Sequence, residues 1–430
     1  MVAIATYKRD AISTLFLYLL ALAPVLSMLG GLLPAVGGIK LSYLYWVLVL
    51  GLASLVLIKR GKTALLVLVL LAWMVLHVLF ANVVSFKAVV NVITCLFIFM
   101  AGLQCIRYDS VSTATRKLVV ILGYTALAVP ILVALGQVAG ILPINLGGIS
   151  LTNSTLTVTG KAVQRVNGWL YHPLELAIVG YVFFTILAMS QRRKIWAYLI
   201  LVGMMAFLYL VKIKMVLLLG LIFFGYYFFI VDRSYRKLKV VSSGLFLILG
   251  IVVFTLFVPE KQLGFFEIRD NFPYFPDQLL TGRGAIWNIY IKGVDEQFGF
   301  KEWLFGYGIG GPSTLFSEAL TYDLWYPLRR GRTYHPGPHN TFYSVFLTGG
   351  LSMIFLFVGF MLYNVKSLRA RFIKKKLRNV NWMYLYLPLL TVGFTGDLLD
   401  TTIFWSSVVI GYYIVLNSNV FSQYSFFRHS

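Results

Sequence analysis

Runs of about 20 apolar residues, separated by short basic stretches, recur along most of this chain and limit its fold more than anything else. A run of that length crosses a bilayer as a helix. Hydrophobic residues make up 59% of the 430 and charged residues only 12%, more apolar surface than a soluble domain could bury. Lipid must therefore act as solvent. Within lipid the backbone has to satisfy its own hydrogen bonds, which leaves helices or a closed barrel. The runs lack the short alternating segments of barrel strands. The fold class predicted is an all-α integral membrane protein.

The apolar pattern predicts twelve spans: 11–31, 41–58, 63–83, 88–106, 117–140, 170–190, 195–211, 213–231, 240–258, 339–364, 382–399 and 401–418. Basic clusters fill every second loop: Lys59 to Lys62, Arg107 with Arg116 and Lys117, Arg192 to Lys194, Arg233 to Lys239, and Arg369 to Arg378. This is the positive-inside pattern, with both termini on the cytoplasmic side. It also accounts for the net charge of +22 without nucleic acid as a partner. Lys8 and Arg9 ahead of an apolar run look like a signal peptide, but the run continues through Leu33 with no small-residue cleavage site. A retained first span is expected. Cys95 and Cys105 fall on one predicted helix, roughly 15 Å apart along its axis, too far for a disulfide.

The chain divides into spans one to nine (1–258), a large polar insertion facing outward (259–338) and spans ten to twelve (339–430). The insertion is where specific chemistry is expected. Thr281-Gly282-Arg283-Gly284-Ala285-Ile286-Trp287 reads as the start of a capped amphipathic helix with Arg283 and Trp287 one turn apart. Its amides and Arg283 form an anion-binding end. The glycines of Gly306-Tyr307-Gly308-Ile309-Gly310-Gly311 mimic a dinucleotide fingerprint, but no strand precedes them and the spacing is wrong. A tight turn docking the insertion on the membrane domain fits better. Gly349-Gly350 would let another helix approach closely.

Arg329, Arg330 and Arg332 lead into His335-Pro336-Gly337-Pro338-His339-Asn340, where two prolines stiffen the approach to span ten. His339 is the candidate general base, with Arg332 and Asn340 beside it in sequence. Elsewhere, Lys212 and Lys214 at a tight outward turn could seat an anion or simply snorkel. Glu175 lies about one turn into span six, where it either pairs with Arg165 or His172 or simply reaches back to water. His77 reads as a hydrogen-bonded core residue, and Asp397 or Asp400 could pair with a base. No metal-binding motif and no cofactor motif are present in the sequence.

Arg283 with Trp287, then Leu304-Phe305-Gly306-Tyr307-Gly308, then His339-Asn340-Thr341-Phe342-Tyr343 with Gly349-Gly350-Leu351, resemble the signature of the bacterial O-antigen ligase and polymerase superfamily. Arg165-Val166-Asn167-Gly168 ahead of His172-Pro173-Leu174-Glu175-Leu176-Ala177 resembles the motif before that family's middle helices. The resemblance implies a GT-C-like membrane glycosyltransferase, metal-independent and inverting, in the bacterial inner membrane with its active site facing the periplasm. Its donor would be an undecaprenyl diphosphate-linked glycan. The acceptor would be another carrier-linked repeat unit in a polymerase, or lipid A-core in a ligase; membrane lipids and a chain-length regulator are further partners. His339 and Arg283 would be catalytic, and Lys212, Lys214, Arg165, Glu175, Trp287, Arg332 and Asn340 would hold diphosphate or glycan. Relatives commonly carry arginine where this chain has Lys212 and Lys214; lysine keeps the charge and loses the two-pronged donor. Polymerase is preferred over ligase on the Arg165-x-x-Gly168 and His172-Pro173 motifs. A lipid-linked sugar flippase or transporter is the reading from another class, though no internal repeat is visible.

Overall fold

The computed structural model describes residues 2–32, 41–58, 61–108, 111–143, 155–156, 162–163, 166–170, 172–191, 193–231, 283–312, 314–315, 341–374 and 402–417. The protein is largely helical. Helices α1 (Val2–Leu32), α2 (Leu41–Ile58), α3 (Gly61–Phe80), α4 (Phe86–Tyr108) and α5 (Thr113–Val138) follow one another along the chain. Helices α6 (Pro173–Met189), α7 (Lys194–Val211) and α8 (Lys214–Tyr226, continued by a π-turn over Tyr227–Val231) come next. Then α9 (Arg283–Gln297), α10 (Phe300–Phe305), α11 (Thr341–Lys374) and α12 (Thr402–Asn417) complete the described helices.

Five described helices are long and apolar enough to cross a membrane: those containing Ala11–Leu29, Val89–Ile106, Thr113–Val138, Lys194–Val211 and Thr341–Gly359. Shorter apolar helices overlap five more of the expected spans. The remaining two, 240–258 and 382–399, lie outside the described residues, together with Asp397 and Asp400. A departure from all-helical expectation sits in the polar stretch before α6, where β1 (Thr155–Leu156) pairs antiparallel with β2 (Ala162–Val163).

The bundle is built around its last described helix. Residues Ile403 to Leu416 of α12 are all buried, and α12 packs against α1, α4, α5 and α6. Small residues make this approach possible. A Cβ on Gly102 of α4 would collide with Val409, and one on Gly123 of α5 with Ile410 and Ile414. Buried hydroxyls fit the same logic: Ser406 bonds back to the Thr402 carbonyl at 2.9 Å, so the helix itself satisfies it. Phe99 and Trp405 meet edge to face at 4.8 Å in the same core. Cys95 and Cys105 are buried and form no disulfide, as their spacing on one helix requires.

Short connections give neighbouring helices alternating directions, so the bundle has two ends. Arg116, Arg193 and Lys194 mark the lower one. The α3–α4 linker (81–85), the α5–α6 connection and the α7–α8 turn meet the upper one.

Candidate functional site

At the upper end the described part of the insertion builds a small core of its own, separate from that of the bundle. Tyr290 and Val294 of α9, one turn apart, pack with Tyr307, Leu315 and Leu347 of α11. Tyr290 meets Tyr343 edge to face at 6.2 Å, and Phe298, just past the end of α9, meets Phe346 at 5.7 Å. Both contacts fall on the first two turns of α11, so this part of α11 is the seat on which α9 and the residues after it pack.

The core is bolted to the bundle by the glycine turn, which docks as its spacing suggested. Helix α11 breaks at Gly350 (φ 61, ψ −159), leaving carbonyls of the preceding turn without helical partners. Two are taken by the glycine turn: Tyr307 N–H donates to the Leu347 carbonyl at 2.8 Å and Gly308 N–H to that of Thr348 at 3.1 Å. On its other edge the same strand accepts from the α3–α4 linker, Val83 N–H to the Tyr307 carbonyl at 3.2 Å and Ser85 N–H to that of Ile309 at 2.7 Å. Three backbones thus lie edge to edge. No side chain fits between them: Gly306, Gly308 and Gly310 have φ of +74, +119 and +92, and a Cβ on each would run into residues 348–349, Val83 and Ser85 respectively. Gly349-Gly350 does admit a close neighbour, the end of α10, since a Cβ on Gly350 would meet Trp303 and Leu304 backbone atoms.

Side chains lock the junction above and below. Asn82 donates to Glu302 Oε1 at 3.1 Å and accepts from Lys301 Nζ at 2.8 Å, while Gly299 N–H donates to Glu302 Oε2 at 3.0 Å. Desolvation raises the Glu302 pKa, but the Asn82 amide, the Gly299 N–H and Lys301 outweigh it and hold the carboxyl below the ordinary range. Lower down, Trp73 Nε1 donates to Ser352 Oγ at 2.9 Å, and Ser352 donates to the Gly349 carbonyl at 2.9 Å. His77 stacks on Trp73 at 4.9 Å and is fully buried. It is a core residue as expected, but not a hydrogen-bonded one. The Phe305 backbone lies against its ring, yet neither ring nitrogen reaches hydrogen-bond geometry.

The expected site residues fall into three groups. Arg283 and Trp287 lie on the first turns of α9, a helix where one was predicted; their proposed cap, Thr281, is outside the described residues. Lys212 is the exposed C-cap of α7 in the left-handed region (φ 59, ψ 31), a conformation uncommon for a side chain with a Cβ. Lys214 opens α8, whose N-cap Ile213 offers no side-chain hydrogen bond. Arg332, His339 and Asn340 are outside the described residues, but His339 and Asn340 immediately precede Thr341, the first residue of α11.

The middle motif has a structural reason behind several of its letters. Pro173 opens α6 and His172 caps it, Nδ1 accepting the Leu174 N–H at 3.0 Å. Glu175 sits half-buried in the first turn, where the positive end of the helix favours a carboxylate. Arg165 is outside the described residues. Gly168 (φ 59) is required because a Cβ there would overlap the Pro130 carbonyl oxygen of α5. Its N–H donates to buried Gln137 Oε1 at 2.9 Å, and Gln137 Nε2 donates to Asn167 Oδ1 at 3.3 Å. Sequence reasoning missed this network and the Asn82 latch. Their partners lie 30 and about 220 residues apart, with no local pattern to link them.

No protein-family model matches the chain, and no curated protein matches it. Fold and site define a class: a helical, membrane-embedded protein with a small second core docked on the α3–α4 linker and α11.

Proposed function

We propose that the protein is a glycosyltransferase of the membrane, moving a glycan from an undecaprenyl diphosphate carrier to the hydroxyl of an acceptor glycan, and that it polymerises O-antigen or related repeat units. The observation that supports this reading is the packing of α9, the helix that Arg283 opens, on the first turns of α11, which follows His339 and Asn340 directly in the chain. A cation and a titratable imidazole are what a displacement at an anomeric carbon needs.

In that reaction the acceptor oxygen attacks the anomeric carbon as the bond to the carrier's diphosphate breaks. The acceptor proton passes to His339, an imidazole whose ordinary pKa suits the task. The electron pair leaves with the diphosphate, which remains on the polyprenol. Arg283 stabilises that growing charge, the largest electrostatic demand of the step. Lys212 or Lys214 adds a second cation, from a turn that reaches the same end of the bundle and where α8 has no side-chain cap. Trp287, Arg332, Asn340, Arg165 and Glu175 hold the glycan or the diphosphate. One displacement inverts the anomeric centre. With no metal motif in the sequence, these cations take the role of a divalent ion. Twelve spans, cytoplasmic termini, an inner-membrane location and a site facing the periplasm belong to the same reading.

Proteoliposomes loaded with carrier-linked glycan and acceptor test it: the reading requires transferred glycan, and translocation without transfer would make the protein a flippase. Deletion in the native host then separates the two enzymatic forms. Lipid A-core bearing one repeat unit marks a polymerase, while bare core with carrier-linked polymer marks a ligase.

A further inference from the structure

Helix α10 is short, and its exposed side chains are the wrong ones for water. Phe300 is 85% exposed, Trp303 46% and Leu304 38%. Its two charges oppose each other and are tied down, Lys301 to Asn82 and Glu302 to Asn82 and Gly299. What α10 presents outward is therefore apolar and without net charge.

The level of this patch can be counted along three chains. A hydrocarbon core needs about 20 helical residues. Counting up from Lys62 along α3 reaches Asn82, and counting up from Arg107 along α4 reaches Lys87. Counting back from Lys366 along α11 reaches Phe346. The three end points are the ones the glycine turn ties together, through Val83, Ser85, Leu347 and Thr348. The junction thus marks the upper boundary of the hydrocarbon. Helix α10 runs straight into it, with Phe305 stacked on Phe80 at 5.0 Å. Exposed Leu79, Val84, Leu351 and Phe355 continue the apolar surface down the bundle.

We infer that α10 is an interfacial foot: Phe300, Trp303 and Leu304 insert into the upper leaflet at the boundary between headgroups and hydrocarbon. The occupant is lipid, because the patch is continuous with the lipid-facing belt and lies at the depth where aromatic side chains settle. Insertion is driven by apolar contact, since the helix has no free positive charge to attract anionic headgroups. The foot adjoins the end of α9 through two residues, Phe298 and Gly299, and so anchors that end of the helix at the bilayer surface. This inference rests on membrane embedding alone and stands or falls apart from the reaction proposed above.

Both native cysteines are buried, so a nitroxide can be attached singly to Phe300→Cys or Leu304→Cys in the full chain. In phosphatidylcholine vesicles, collision with oxygen is compared with collision with a water-soluble nickel chelate. Phe355→Cys serves as the lipid-facing reference and Glu296→Cys as the aqueous one. The ratio at 300 and 304 should lie nearer to that at 355, and replacing half the lipid with phosphatidylglycerol should leave it unchanged. A ratio nearer to that at 296 overturns the inference. So does protection from both reagents, which would mean a second protein covers the foot. A ratio that rises only with the anionic lipid would replace apolar insertion with charge attraction and overturn it too.

Discussion

Gly308→Ala should undock the extramembrane core while leaving the bundle folded. At φ +119 the backbone of Gly308 is in a region that a residue with a Cβ adopts only at a cost of about 1–3 kcal/mol. The added methyl would also overlap the Val83 carbonyl, a backbone atom fixed by the α3–α4 linker. Relief requires the strands to part, with loss of the Val83–Tyr307 and Gly308–Thr348 hydrogen bonds, about 1 kcal/mol each. Together these come to roughly 3–5 kcal/mol, or about two to four orders of magnitude in the local opening equilibrium. Hydrogen exchange in nanodiscs reads it at the amides of Val83, Tyr307 and Gly308 (Ala in the variant). Their protection should fall by about that factor, and α12 amides, in a separate core, should not change. Gly359→Ala, in α11 with open space around it, should be neutral or stabilising by up to about 1 kcal/mol. Wild-type protection at Tyr307 and Gly308 in the alanine variant would refute the docking account.

Other consequences are simpler to read. Arg283→Ala should abolish transfer with the protein still abundant in membranes, and Arg283→Lys should restore little, because a point charge replaces a two-pronged donor; full activity of the lysine variant would reduce Arg283 to general electrostatics. The Glu302 carboxyl, lowered in the folded state, contributes stability above its unfolded pKa that is lost as pH falls through the folded value. Exchange protection of the Gly299 amide, which donates to that carboxylate, should persist below the ordinary glutamate range, and its loss within that range would show the latch unformed in solution. Cysteines introduced at 60, 193 and 375 should resist impermeant thiol reagents in intact cells while those at 150 and 320 react; labelling at 193 from outside would reverse the orientation.

The transmembrane helices were legible because each apolar run is a local signal that a bilayer enforces. Pro173 as the first residue of α6 could be read directly from proline geometry. The importance of α12 could not: Ser406, Ser407, Gly411 and two tyrosines make it look like a weak span, and no local pattern shows that four neighbours close around it. The glycine turn was legible as a turn, but not its role as the middle strand of three. That role depends on the α11 break and on residues 83 and 85, more than 200 positions away. His77 shows the same limit, since its solitary place in an apolar span suggests a core residue and says nothing of Trp73 stacking in place of a hydrogen bond. Arg283 was legible as the head of a helix, while the packing of α9 on the first turns of α11 emerges only from tertiary contacts.

Release of polyprenyl diphosphate by purified protein with a carrier-linked glycan and acceptor tests the central claim most directly, comparing the wild type with His339→Gln. Glutamine keeps a hydrogen bond but takes up no proton at neutral pH. The account predicts that the variant binds donor nearly as well and releases product about two to four orders of magnitude more slowly. Wild-type release should also decline as pH drops through the imidazole range, because the protonated ring accepts nothing. Near-normal release by His339→Gln, with an unchanged pH profile, would contradict the assignment of proton transfer to His339.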